Sequence, residues 1–461
     1  MFFPPFIRFL SISVIPKTSN ISSLRFTTAS LGDKFYALLH KNPKNVEAVL
    51  NCSKAKLDVK CINEVLKRCA VDNSLMGLRF FIWAGSQAGY RHSSYMYSKA
   101  CECFRIKKSP KVVVDLFEAY RVEKCVVTVK TFKVVLNLCR EGSLVDEALM
   151  VLRKMPQFNI RADTNSYNVV IKLLCDDGKM DDAQKLMGEM GLIDLYPDII
   201  TYMSMIKGFC KVGLLEEACE LLKVMRGHGC VPNVVVYSTI VDGVCKFGSP
   251  ERAIELLGEM EKEGGDCNPN VVTYTSVIQS FSEKGRTRDA LGILDRMEAY
   301  GCAPNRVTVS YLIQGICMHN CLEEACKLID RVVVGGSVSY GDCYSSLVIC
   351  LIKMKKVEEA EKQFWRILAG GLKLDSLACS LMIKELCLEK RMLDAFRLHE
   401  EMQKMGWLFS IDSGVYSMLL NGLSQQNHLK EASSIASLCL EKGICLRISY
   451  LDKINGILEN L

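Results

Sequence analysis

The sequence predicts an all-α fold, a right-handed α-solenoid (superhelix) of about ten stacked helix-turn-helix repeats. Three observations lead there. Ala148, Ala183, Ala218, Ala253, Ala290, Ala325, Ala360, Ala395 and Ala432 follow one another at steps of 35, 35, 35, 37, 35, 35, 35 and 37 residues, and self-similarity at such a period marks a solenoid. Apolar residues inside each period recur at three- and four-residue spacing, which is helical and not strand-like. Glycine and proline punctuate the period where a chain has to turn.

The stretch from Ile199 to Asn233 shows the unit most clearly. Tyr202, Met205, Ile206, Phe209 and Cys210 form the apolar stripe of a first helix,. Gly213 follows as a helix stop,. Glu216 and Glu217 then open a second stripe of Ala218, Leu221, Leu222 and Met225, and acidic residues in a first turn suit the helix dipole. Gly227, Gly229 and Pro232 end the second helix,. A lone hairpin cannot bury both stripes, so neighbouring hairpins must stack. The repeated alanine marks the close crossing of the two helices, where a bulky side chain would force them apart.

In chain order, residues 1–30 differ from the rest. Arg8, Lys17 and Arg25 stand among many Ser and Thr, with no acid before Asp33. That is the composition of a transit peptide, and Leu24–Ser30 has the look of a mitochondrial processing site; a plastid is the alternative destination. Residues 31–93 are helical in pattern but irregular, with Leu78–Ser93 as second helix and exit loop of a degenerate repeat. The repeats are placed at 94–128, 129–163, 164–198, 199–233, 234–270, 271–305, 306–340, 341–375, 376–412 and 413–447. The two extra residues in the 37-residue repeats are assigned to exit loops near Gly264–Asp266 and Leu408–Ser410, where insertion is tolerated. In 129–163 the first helix is expected one residue short and its turn one long. Residues 448–461 read as a capping helix.

Length alone, 461 residues, suggests about three globular domains, but a solenoid has one continuous core and the period overrides that prior. The chain is 49% apolar and 24% charged, as folded proteins are. It has no run of eighteen apolar residues, so no membrane span is expected. Its 23 cysteines invite a disulfide reading, yet Cys175, Cys210, Cys245, Cys317 and Cys387 share the twelfth place of their repeats, on the apolar face. Free cysteine there is a small buried hydrophobe. Cys317, His319, Cys321 and Cys326 lack a matching second pair for zinc, so no metal is expected. Nor is any cofactor or catalytic residue, because no nucleotide loop, HExxH or GxSxG occurs. The chain reads as a binding module.

An aromatic at the fourth place (Phe132, Tyr167, Tyr202, Tyr237, Tyr274, Tyr344 and Tyr416), Cys at the twelfth, Ala at the twentieth, Met at the twenty-seventh and a terminal Pro–Asn or Pro–Asp recur. Together they resemble the pentatricopeptide repeat family, in its pure-repeat P-class of plant organellar type. The Trp/Leu-Gly/Tyr signature of the tetratricopeptide repeat is absent.

The resemblance implies sequence-specific binding of single-stranded organellar RNA, one base per repeat. First helices would line the concave face, with the fifth and last residues of each repeat reading a base. Asn168 with Asp198 matches the family's uracil pair. Ser238 with Asn270 and Thr275 with Asn305 match adenine, and Ser345 with Asp375 and Ser380 with Asp412 resemble the guanine pair. Met203 with Asn233, Lys133 with Asp163, Ser310 with Tyr340, Ser98 with Thr128 and Ser417 with Arg447 depart from the pattern. The implied target is N-N-U-N-A-A-N-G-G-N. Apolar second-place residues Ile200, Val235, Val272 and Val307 would sandwich base faces. Lys211, Lys246 and Lys353, at the thirteenth place, are the candidate phosphate contacts, each flattening the log–log salt dependence by about 0.7 when lost. The net charge of +6 would not by itself announce a nucleic-acid binder. Bound RNA would be stabilised, processed, spliced or translated, with RNA-processing, splicing or ribosomal proteins as further partners. The alternative is a protein-interaction scaffold, for example on a mitochondrial ribosome, without base readout.

Overall fold

The computed structural model describes residues 30–41, 44–53, 56–407, 411–442 and 444. The expected transit peptide, save Ser30, the insertion at Leu408–Ser410, Arg447 and the capping helix lie outside the described residues. Among those described, all regular structure is helical. Among the described residues no helix is long and apolar enough to cross a membrane. The chain divides into two compact units, Met1–Pro197 and Asp198–Leu461.

The first unit contains α1 (Leu31–Lys41), α2 (Val46–Asn51), α3 (Val59–Asp72), α4 (Ser74–Ser86), α5 (Ser94–Cys103), α6 (Lys111–Val122), α7 (Val129–Gly142), α8 (Val145–Lys154), α9 (Thr164–Asp176) and α10 (Met180–Leu192). Helix α4 is apolar on most sides and packs against α2, α3, α6 and α7. Phe80, Phe81 and Trp83 are buried there, and so is Arg79, only 3% exposed. A buried guanidinium needs carboxylates. Arg79 Nε donates to Glu47 at 2.9 Å and Nη1 to Glu123 at 3.0 Å, which ties α2 and the end of α6 to α4.

Helix α7 corrects one expectation. It runs the full fourteen residues from Val129 to Gly142, as long as the first helix of 199–233, and is not a residue short. The reason is Ser143, which takes the left-handed backbone (φ 56°) that Gly213 takes at the matching position (φ 80°). A serine closes this helix where glycine is usual.

The second unit is a repeated hairpin: α11 (Ile199–Val212), α12 (Leu215–Gly227), α13 (Val234–Phe247), α14 (Pro250–Glu263), α15 (Val271–Glu283), α16 (Thr287–Ala299), α17 (Arg306–Met318), α18 (Leu322–Val334), α19 (Tyr340–Lys353), α20 (Val357–Ala369), α21 (Ser376–Leu388), α22 (Met392–Lys404), α23 (Ser413–Gln425) and α24 (Leu429–Glu441). The odd-numbered first helices pack one on the next from α11 to α23, and each second helix also rests on the first helix that follows it. All nine periodic alanines across the two units are fully enclosed. Small residues let the first helices approach. A Cβ on Gly243 of α13 would stand 2.7 Å from the side chain of Cys210 on α11, and one on Gly315 of α17 only 3.1 Å from Ser282 of α15.

The second helices are bridged by long side chains instead. Arg296 meets Glu261, Arg331 reaches Asp295 at 2.6 Å, and Arg391 reaches Glu361 at 2.8 Å. The longer repeat 234–270 ends in a 3-10 turn at Gly265–Cys267, where the thiol of Cys267 meets the carbonyl of Pro232 at 3.1 Å. Among the described cysteines no disulfide forms. Burial pushes the thiols of Cys175 and Cys210 up to about 12, which suits packing and not reactivity.

Candidate nucleic-acid interface

The last residue of each repeat from Thr128 to Asn305, and again Asp375 and Asp412, proves to be the N-cap of the next first helix; at 306–340 the cap is Ser339 and Tyr340 already opens α19. Asn233, Asn270 and Asn305 hold extended backbones (φ −122°, −111° and −102°). Each turns its side-chain oxygen onto the opening N–H groups of α13, α15 or α17. Asp198 does the same for Thr201 N at 2.9 Å and Asp375 for Ala378 N at 2.7 Å. Asn and Asp are preferred there because their oxygen satisfies amides that have no partner inside the helix. A proline precedes Asp198, Asn233, Asn270 and Asn305 and holds the entering chain extended.

This cap geometry carries the last residue to the fifth residue of the preceding helix. Ser238 Oγ of α13 lies 2.7 Å from Thr273 Oγ1 of α15, which lies 3.1 Å from Asn270 Oδ1. Thr275 Oγ1 lies 2.7 Å from Thr308 Oγ1, itself 3.0 Å from Asn305 Oδ1. In the first unit Lys133 and Asp163, the fifth and last residues of 129–163, form an ion pair at 2.6 Å. Burial raises the Asp163 carboxyl, but the bonds from Lys133 and Ser166 outweigh it and leave the carboxyl below its usual range.

The remaining expected pairs vary. Ser345 is wholly enclosed and its oxygen accepts from Asp375 N at 2.8 Å. The Asp375 carboxylate is held by Arg306, which also reaches Asp342 at 3.3 Å. Ser380 is half-buried, and Asp412 caps α23 without a side-chain bond. Asn168 is buried in the first unit, while Asp198 caps α11 in the second.

The second-place residues lie in the first turn of their helices, pointing outward. Ile200 is 55% exposed, Val235 53%, Val272 65% and Val307 51%. Four aliphatic side chains this exposed, at one place in successive helices, form a row and not a scatter of surface residues. Leu377, at the same place of α21, is 56% exposed and extends it; Asp342 occupies that place in α19.

Of the lysines, Lys211 and Lys353 are exposed. Lys246 pairs with Asp242 one turn back at 2.7 Å. The cysteines and histidine at 317–326 are not brought together: His319 Nε2 meets the Gly285 carbonyl at 2.6 Å. Among the described residues the close metal-capable group is Glu47, Glu123 and Cys125, and the Arg79 guanidinium already binds both carboxylates.

Sequence reasoning missed four residues. The third-place threonines Thr273 and Thr308 were signalled by a Pro-Asn followed three residues on by Thr, a capping arrangement. Leu377 was signalled by its place in the period. Arg306 carried no signal, since its partners lie 36 and 69 residues away.

Family profiles described as PPR repeat family match residues 197–246 and 269–318. Profiles described as PPR repeat match 158–191, 235–265, 307–336, 342–372 and 378–407. A pentatricopeptide repeat-containing protein of Arabidopsis thaliana is 48% identical over 451 residues, which is 97% of this chain and 94% of that one. The chain belongs to the pentatricopeptide repeat family. A second Arabidopsis pentatricopeptide repeat protein is 31% identical over 139 residues, 29% of this chain and 22% of its own length. Among solved structures, the pentatricopeptide repeat protein PPR10 from maize superposes with a TM-score of 0.51 at 21% identity. That match covers 89% of this chain, which spans 63% of the maize chain. The same maize protein in complex with an 18-nt psaJ RNA element gives a TM-score of 0.50 at 19% identity. Both matches bear out the pentatricopeptide repeat fold.

Proposed function

We propose that this pentatricopeptide repeat protein binds single-stranded RNA in an organelle, one base per repeat, and acts by occupying its transcript. The observation that carries the proposal is the exposed aliphatic row from Ile200 to Val307. Each member stands beside a helix-capping Asn or Asp and, in two repeats, a hydroxyl joined to it. Aliphatic faces at one-repeat intervals suit the flat faces of successive bases, and the hydroxyl and carboxamide beside them suit base edges. RNA bound by the likened maize protein supports the same reading.

Occupancy shields RNA from exonucleases, holds it unpaired for translation, or presents it to processing, splicing or ribosomal proteins. The proposed destination is the mitochondrion. Its support is the basic, acid-free composition of residues 1–30, together with three partial Arabidopsis relatives named as mitochondrial. The test is enrichment from a randomised single-stranded RNA pool by the mature protein. Base readout yields a motif with adjacent specified positions for 234–270 and 271–305. A protein scaffold yields no motif at any salt concentration.

A further inference from the structure

Ser238 and Asn270 do not touch directly: Thr273 stands between them, and Thr308 stands likewise between Thr275 and Asn305. Given the RNA-binding reading above, the geometry points to Thr273 as a specificity-setting positioning residue. It fixes the direction of the Ser238 hydroxyl proton, so that the Ser238–Asn270 pair selects amino-bearing bases (adenine, cytosine) over keto-bearing ones (guanine, uracil).

The protons order themselves outward from the helix. Thr273 N–H is a donor with no alternative role, and it lies 3.1 Å from a side-chain atom of Asn270. That atom must be the carbonyl oxygen, so the NH2 group of Asn270 is the part left to face outward. The hydroxyl of Thr273 lies 3.1 Å from the same oxygen. An amide oxygen has no proton to give, so Thr273 donates. A hydroxyl whose one proton is spent can only accept from Ser238, 2.7 Å away. The proton of Ser238 is therefore committed inward, and toward the solvent its oxygen offers lone pairs alone.

The neighbouring repeat repeats the logic. Thr308 N–H lies 2.9 Å and Thr308 Oγ1 3.0 Å from Asn305 Oδ1. Thr275 Oγ1 is 2.7 Å from Thr308 Oγ1 and 2.6 Å from the Val271 carbonyl. Either acceptor takes its proton inward. Both pairs thus present one fixed acceptor beside one fixed donor.

A free hydroxyl rotates to suit its partner and tells a donor from an acceptor poorly. A polarised one does not rotate. Against its lone pairs the exocyclic amino group of adenine or cytosine donates, whereas the carbonyl of guanine or uracil repels. Repeat 199–233 lacks the device: its fifth residue is Met203 and the following third place is Val236. Repeat 341–375 lacks it too, with Ala378 at that place.

The experiment compares full-length wild type, Thr273→Val, Thr273→Ser and Thr308→Val in the same randomised RNA pool, with a thermal melt of each. Valine keeps the threonine's shape and backbone N–H but removes the hydroxyl. Wild type should prefer amino over keto bases at both nucleotides. Thr273→Val should lose about tenfold of that preference, an effect of the size one base-edge pair carries, at the nucleotide facing Ser238 and not at its neighbour. Thr308→Val should leave the neighbouring nucleotide's preference in place, because the Val271 carbonyl still takes the Thr275 proton, and Thr273→Ser should restore the wild-type profile. An enriched motif that Thr273→Val leaves unchanged, or a keto preference in wild type, overturns the inference while leaving RNA binding intact. Absence of any motif in a folded wild-type protein overturns the RNA reading itself. Should Thr273→Val melt below wild type, a loss of preference confined to the nucleotide facing Ser238 still supports the inference, and an equal loss at its neighbours overturns it.

Discussion

Arg306 holds Asp375 by its carboxylate, although 69 residues separate them in the chain. The arginine opens α17 and the aspartate ends repeat 341–375, so a cation sits on one of the expected base readers. The pair is partly exposed, 44% at Arg306 and 22% at Asp375, so its contribution to stability is below about 1 kcal/mol. Its effect on readout should be larger, because a base N–H cannot compete with a guanidinium for the same oxygens. Arg306→Gln is expected to sharpen base preference at the nucleotide facing Ser345 and Asp375, with an unfolding midpoint close to wild type. An unchanged or weaker preference there contradicts this.

The enclosed alanines set the spacing of each hairpin. Ala290 is fully buried at the crossing of α15 and α16. Ala290→Leu adds methylenes where none fit, and overpacking costs about 1–3 kcal/mol. Urea unfolding should shift to lower concentration by that amount, with a broadened transition if neighbouring repeats uncouple. A midpoint equal to wild type would show that the crossing has slack.

How much of this was legible follows from the range of each interaction. The helix stripes and the alanine are local and periodic, so each repeat restated the same instruction and the hairpins could be read directly. The capping role of Asn233, Asn270 and Asn305 was equally local, yet the resemblance had given those residues a reading role first. Under the proposed reading they do both jobs through different atoms, with Oδ1 turned to the helix and the NH2 left for a base. Ser143 escaped because a non-glycine residue took the left-handed turn. The burial of Asn168 and Ser345 and the grip of Arg306 depend on which side chains neighbouring repeats happen to carry, and no period in the sequence encodes that.

His399 should make stability depend on pH. It is 1% exposed, faces the Tyr416 hydroxyl at 3.5 Å, and its Nδ1 has no hydrogen-bond partner among the described residues. Burial, helped by the nearby charge of Lys442, depresses its pKa from 6.5 to about 4. The unfolded chain therefore binds a proton that the folded one refuses between those values. Stability is fully present above pH 6.5 and falls as pH drops toward 4, by at most about 1.4 kcal/mol per pH unit from this group. His92, buried against Phe81 and likewise depressed to about 4, adds a second such group. His399→Met should flatten the slope of unfolding free energy against pH in this window. An equal slope would show that His399 is protonated in the folded state.

The exposed lysines divide by what already holds them. Lys353 is open to solvent, whereas Lys246 is engaged by Asp242 at 2.7 Å and would have to leave it to meet a phosphate. Lys353→Gln is expected to flatten the log–log salt dependence of RNA affinity by about 0.7, and Lys246→Gln by less. Equal slopes for both variants and wild type would place the backbone elsewhere.

Thr275→Asn offers the most direct measurement of whether fifth and last side chains read bases. The variant and wild type are each equilibrated with a randomised RNA pool, and the bound sequences are compared nucleotide by nucleotide. The account predicts that preference moves away from adenine at the single nucleotide facing Thr275 and Asn305, with the flanking positions unaltered. Identical bound sequences, or a uniform loss of affinity with no change at any one position, would contradict it.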